Sequence, residues 1–147
     1  MRNSNRWVIA VLIIVCLLLS ACAQTAPSDE KVTPPAKVER IEGKNSSRII
    51  LAKEADTRLG IETAPVRNMQ ERGKLRKVVP YPAVFYDLNG VTWVYTNPSP
   101  LTFVRASITV DSITGDMAAL SKGPPVGTSV VTVGATELYG TEFGVGQ

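Results

Sequence analysis

The sequence predicts an all-β fold, a small sandwich or partly open barrel of about six or seven short strands, placed behind an export signal and a flexible tether. Three observations predict it. Gly, Pro, Asn and Asp residues punctuate residues 45–147 at roughly ten-residue intervals, the spacing of short strands joined by turns. Asn89-Gly90 stands between two β-rich runs, the strongest local signal for a hairpin. In the second run Val91, Trp93 and Tyr95 point one way while Thr92, Val94 and Thr96 point the other, so one face is expected to be core.

The chain of 147 residues opens on Arg2 and Arg6, followed by an apolar run from Trp7 to Leu19. That run is shorter than the roughly 20 residues needed to span a bilayer, and it reads as the hydrophobic part of an export signal, residues 1–21. Leu19-Ser20-Ala21-Cys22 resembles the bacterial lipobox, in which the cysteine thiol receives a diacylglyceryl group and becomes the first residue after cleavage. Two acyl chains, at about 0.8 kcal/mol per buried methylene, make a durable anchor. An ordinary secretory signal cut near Ala21 or Ala23, or a retained membrane helix, are the other readings of this segment. Cys16 leaves with the signal, so Cys22 would be the one remaining thiol, with no disulfide partner. Residues 22–44 therefore read as the lipidated cysteine and a flexible tether, rich in Pro, Ser, Thr and charge, and residues 45–147 as the folded part.

Within that part Ser47 to Leu51 is β-rich, and Lys53 to Leu59 is a helix candidate that Gly60 would close. Ile61 to Arg67 is extended, with Pro65 marking an edge strand. Ala83 to Asp87 and Val91 to Thr96 form the hairpin around Leu88-Asn89-Gly90. Leu101 to Arg105, Ser107 to Val110, Met117 to Leu120 and Thr128 to Val133 follow, separated by Pro- and Gly-containing turns. Gly140, Gly144 and Gly146 lie with Thr141, Glu142 and Phe143 in a C-terminal tail, and with no helix following them they do not read as a phosphate-binding loop.

The formal charge of +3 comes from 16 Lys and Arg against 13 Asp and Glu, and loss of Arg2 and Arg6 would leave a nearly neutral protein. Nucleic acid is not an expected partner. The sequence contains no His, which excludes His-based acid/base catalysis and His-dependent nucleophile systems. No cofactor or metal site is expected, because Met69 and Met117 are too few soft ligands for a copper site. Asp111, Asp116, Glu137 and Glu142 are the carboxylates open to acid/base work, but Asp in turn-like positions usually serves the backbone, and no enzyme is expected. The run Arg72-Gly73-Lys74-Leu75-Arg76-Lys77 reads as a basic loop, and Arg72, Lys74, Arg76 and Lys77 are candidate contacts for anionic headgroups or an acidic partner, or a plain solvated loop. Phe85, Tyr86, Trp93, Tyr95 and Phe103 either line a ligand groove or pack as core.

Several segments together carry a resemblance. Val79-Pro80, Ala83-Val84, Gly90 to Tyr95, Arg105, Val110, Gly127 to Gly134-Ala135 and Leu138 resemble the C-terminal end of the membrane fusion proteins, the periplasmic adaptor subunits of RND-type efflux pumps. Leu59-Gly60-Ile61-Glu62-Thr63-Ala64-Pro65-Val66 is similar to a second segment of that family, which joins the same membrane-proximal β-domain from upstream. A full adaptor inserts a β-barrel, a lipoyl-like domain and a long α-hairpin between the two; here only Arg67 to Val78 lies there. Gly123-Pro124-Pro125 also replaces the family's Gly-Leu. The resemblance implies a noncatalytic module on the extracytoplasmic face of the membrane, periplasmic if the cell has an outer membrane, docking on an RND-type or related transporter. The alternative function is a lipoprotein that binds a small ligand, peptide or cell-wall glycan in a β-cleft.

Overall fold

The structure, a computed structural model, describes residues 34–43, 45–71 and 73–144. Leu19, Ser20, Ala21, Cys22 and Arg72 lie outside the described residues. The strands are β1 (Ala36–Arg40), β2 (Ser47–Leu51), β3 (Glu62–Pro65), β4 (Arg67–Glu71), β5 (Lys74–Pro80), β6 (Phe85–Tyr86), β7 (Thr92–Ser99), β8 (Thr102–Ser107), β9 (Thr109–Thr114), β10 (Met117–Lys122) and β11 (Ser129–Val133). Two helices accompany them, α1 (Lys53–Leu59) and α2 (Ala135–Phe143). Among the described residues the fold is mainly β, as expected, but with eleven strands in two antiparallel sheets.

The first sheet runs β1-β2-β8-β7-β11-β3, with β6 paired to β7, and the second runs β4-β5-β10-β9. Between the sheets Val94 and Val130 of the first meet Val79, Ala118 and Leu120 of the second, joined by Val66, Ala83 and Ile108. The opposite face of the first sheet carries Ile49, Leu51, Tyr95, Phe103 and Val131, closed by Ala135 and Leu138 of α2. The first sheet is therefore covered on both sides. Val94 and Tyr95, neighbours pointing in opposite directions, are both 0% exposed, so β7 has two core faces where its alternation suggested one.

The second cover is α2, which stands where the sequence reads as a C-terminal tail. Gly140 and Thr141 are poor helix formers, costing up to about 1 kcal/mol each relative to Ala. Ala135, Leu138 and Glu142 nonetheless recur at helical spacing on one face, and burial of that face against the first sheet outweighs propensity.

The remaining expectations divide by polarity. α1 ends as its sequence indicates: Gly60 takes φ 60°, a left-handed conformation, and its N–H bonds Asp56 O. β3, with Pro65, lies at the edge of the first sheet. Around the Asn89-Gly90 turn, Phe85 pairs Trp93 and Tyr86 pairs Thr92. By contrast, β1 falls inside the stretch read as tether, yet pairs β2 over its whole length, from Ala36↔Leu51 to Arg40↔Ser47. It is a polar edge strand, recognisable only by its partner. Likewise Lys74 to Lys77 is not a loop: it is the first half of β5, in a hairpin with β4 that pairs Arg67↔Val78 through Glu71↔Lys74.

Candidate functional site

Two described cations of the basic run, Arg76 and Lys77, are engaged within the fold. On β5 the Arg76 Nη1 lies 2.8 Å from Asp111 Oδ2 on β9. Lys77 donates from Nζ to the carbonyl of Gly123 at 3.1 Å, fixing the Gly-Pro-Pro loop. Lys74 is exposed at the end of the β4–β5 hairpin. The carboxylates scatter in the same way: Asp111 serves Arg76, Asp116 sits in the β9–β10 turn with its carbonyl on Tyr81 N–H, and Glu137 is exposed on α2. Among the described residues no group of three or more His, Cys, Asp and Glu is placed to hold a metal ion.

Only Glu142 enters a shaped site. A cleft of about 590 Å³ opens on the α2 side of the first sheet, between the β1–β2 turn, the Asp87–Asn89 loop and the end of α2. At its back is Arg105. Strand alternation puts Arg105 on the same face as Phe103, among apolar side chains, so its charge is withdrawn from water. Its guanidinium carbon lies 4.1 Å from the Trp93 ring centroid and 5.1 Å from that of Phe143. Nη2 donates to Asn45 O at 2.9 Å. Nε lies 3.2 Å from Glu142 Oε2 but is not aligned for a hydrogen bond, so that contact is a charge interaction.

Glu142 completes the cluster. Its Oε1 accepts from Ser47 N–H at 3.0 Å, and its Oε2 from the Tyr95 hydroxyl at 2.6 Å. Burial first, then the hydrogen bond and charge of Glu142, push the Tyr95 phenol well above its usual pKa, so it stays a donor. Phe85 stacks on Tyr95 with centroids 5.2 Å apart and Tyr139 meets Phe85 edge-on at 5.6 Å. Nearby, Asp87 Oδ1 accepts Asn89 and Val91 N–H at 2.9 Å each, and Oδ2 accepts the Trp93 indole at 3.0 Å. Desolvation alone would raise the Asp87 pKa; the Trp93, Val91 and Asn89 donors and the Arg105 charge together hold it below the ordinary value.

Of the aromatic residues picked from the sequence, Trp93 lines the cleft, Tyr95 and Phe103 are core, Phe85 packs between them and α2, and Tyr86 is exposed. Sequence reasoning missed Arg105, Tyr139 and Phe143 as parts of one site and did not pair Glu142 with a cation. One signal was present. Phe103-Val104-Arg105-Ala106 puts a cation on an apolar strand face, which calls for a buried carboxylate somewhere else in the chain.

No protein-family profile and no curated protein matches the chain. Among solved structures, it is similar to the NMR structure of a 180-residue stretch of SilB from Cupriavidus metallidurans CH34, which encompasses that protein's N-terminal metal-binding site and membrane proximal domain. The match has a TM-score of 0.43 and 18% sequence identity, over 72% of this chain and 68% of that one.

Proposed function

We propose that this chain is a noncatalytic, lipid-anchored module on the extracytoplasmic face of the membrane that docks its β unit on an integral membrane transporter. The observation that carries this reading is how the two adaptor-like segments meet. Val66, ending the upstream segment, and Val79, opening the downstream one, belong to one core. The interval in which an adaptor holds its barrel, lipoyl-like domain and α-hairpin is here spanned by the β4–β5 hairpin alone. A unit that closes this way keeps the portion the family uses next to the transporter and dispenses with the parts that reach outward. The lipobox at Cys22 supports the same placement, with only residues 23–35 between the acylated cysteine and β1.

The test is crosslinking in intact membranes, with the parent and Cys22→Ser compared. The parent is expected to partition into the detergent phase and to yield a multispan membrane protein as its crosslinked partner. Cys22→Ser is expected to accumulate as precursor and to lose most of that adduct. Equal detergent partitioning of the two proteins would remove the lipid anchor, and absence of a multispan adduct from the parent would remove the docking role.

A further inference from the structure

The cleft behind the β1–β2 turn has a surplus of hydrogen-bond donors. Both carboxylates on its wall are already satisfied from within: Asp87 by two backbone N–H groups and the Trp93 indole, Glu142 by Ser47 N–H and the Tyr95 hydroxyl. What remains for a ligand is one free cation with hydroxyls that can donate beside it. Among the described residues Arg40, on the rim, has no carboxylate partner, and the hydroxyls of Ser46 and Ser47 make no hydrogen bond. Behind them the Arg105 charge, its side chain 7% exposed, is offset by Glu142 from the helix side and by Asp87 from the facing loop, which leaves Arg40 as the cation open to a ligand. The rest of the wall is Asn45 and Asn89 together with apolar surface from Leu88, Tyr139 and Phe143. Phe143 is 51% exposed at the mouth with Tyr139 tilted against it at 4.7 Å, and Leu88 is 96% exposed on the facing loop.

A space of about 590 Å³ is the size that takes a small organic molecule rather than a lone ion. Arg40 ends β1 paired with Ser47, which places both at the cleft. We propose that this cleft binds a carboxylate carried on an apolar ring, the carboxylate between Arg40 and the hydroxyls of Ser46 and Ser47, and the ring against Phe143, Tyr139 and Leu88. The proposal does not depend on the docking role. Two sources share this chemistry, a free aromatic acid and the C-terminal aromatic residue of a peptide.

The experiment uses the full chain in nonionic detergent with Trp7→Phe, which leaves Trp93 as its one tryptophan. Its emission is followed against 4-phenylbutyrate and N-acetyl-Gly-Gly-Phe, each as the acid and as the amide. A saturable change is expected with at least one acid, and the tighter-binding acid identifies the source. The amides are expected to bind about tenfold more weakly, and Arg40→Gln and Phe143→Ala to weaken the acid by a similar factor, for loss of one charge-assisted contact or one ring contact. Arg40 is surface-accessible, so Arg40→Gln should keep the parent's thermal midpoint and report that the cleft is still formed; Phe143→Ala also gives up its contacts with Arg105 and Tyr139, so its binding is read well below its own midpoint. Lack of saturation by either acid up to about 10 mM, corresponding to negligible affinity, overturns the proposal. So does equal binding of acid and amide, or an Arg40→Gln protein that binds as the parent does.

Discussion

Glu142→Gln removes one charge from the centre of the cluster while keeping an oxygen for Ser47 N–H and the Tyr95 hydroxyl. The Glu142 side chain is 2% exposed and that of Arg105 7% exposed, so the substitution leaves a guanidinium without its counter-charge in a place water does not reach. Breaking a buried pair from one side costs about 3–5 kcal/mol, and the retained amide oxygen argues for the lower end. With an unfolding entropy near 2.1 cal/mol/K per residue over roughly 110 residues, about 3 kcal/mol lowers the thermal midpoint by about 13 °C. The assay is thermal and urea unfolding followed by circular dichroism. A second variant separates lost charge balance from lost packing: Arg105→Met with Glu142→Gln removes both charges and keeps the acceptor, and is expected to lose only about 1 kcal/mol, because matched apolar replacement of a buried pair is often close to neutral. The reasoning is refuted if Glu142→Gln moves the midpoint by less than about 3 °C, or if the double variant loses the sum of the two single losses.

Two further substitutions probe the same face. Tyr95→Phe deletes a 2.6 Å bond to a carboxylate, with an expected loss of about 1.5–3 kcal/mol at neutral pH. Because the folded-state pKa of Tyr95 lies above its unfolded value of about 10, the phenol's contribution is fully present below pH 10 and is lost as pH rises further, by up to about 1.4 kcal/mol per unit. Urea midpoints at pH 8 and 11 should therefore fall further in the parent than in Tyr95→Phe, and equal falls would count against the assignment. Gly134→Ala acts at the start of α2, where φ is 91° and a Cβ would strike the Ile61 side chain. About 2 kcal/mol of lost stability is expected, against about 1 kcal/mol at Gly60, where φ is also positive but the space is open. Matched thermal scans of the two variants check the order, and a larger loss at Gly60 would show that Ile61 yields freely.

What could be read from the sequence follows the range of the forces that fix each element. The hairpin at Asn89-Gly90, the stop at Gly60 and the edge position of Pro65 depend on one or two residues of backbone preference, and each was legible. β1 and the β4–β5 hairpin were not, since Lys37, Glu39, Lys74, Arg76 and Lys77 make strands that look like solvated chain until their partners are known. α2 was hidden by Gly140 and Thr141, whose poor propensity is overridden by a core only the folded sheet creates. The cluster in the cleft was the least accessible of all. Arg105 and Glu142 have no spacing rule to connect them, and their contact exists only because the last helix returns across the sheet.

The early start of β1 bears directly on how a tethered protein of this kind would work. If the acyl chains sit on Cys22, the linker is residues 23–35 and not 23–44. Thirteen residues reach at most about 45 Å when extended and average about 20 Å when flexible. A unit confined to that layer meets membrane partners at a local concentration of about millimolar order. Occupancy then requires a surface contact of only millimolar to micromolar strength, which is worth about 4–8 kcal/mol. That requirement fits a hairpin in which two cations are already committed within the fold, Arg76 to Asp111 and Lys77 to the Gly123 carbonyl. A strongly attractive basic patch would bind anionic headgroups and compete with the partner, whereas internally neutralised strands leave partner choice to shape. Under the proposed anchoring, proximity would supply most of the association and the folded surface would supply selectivity.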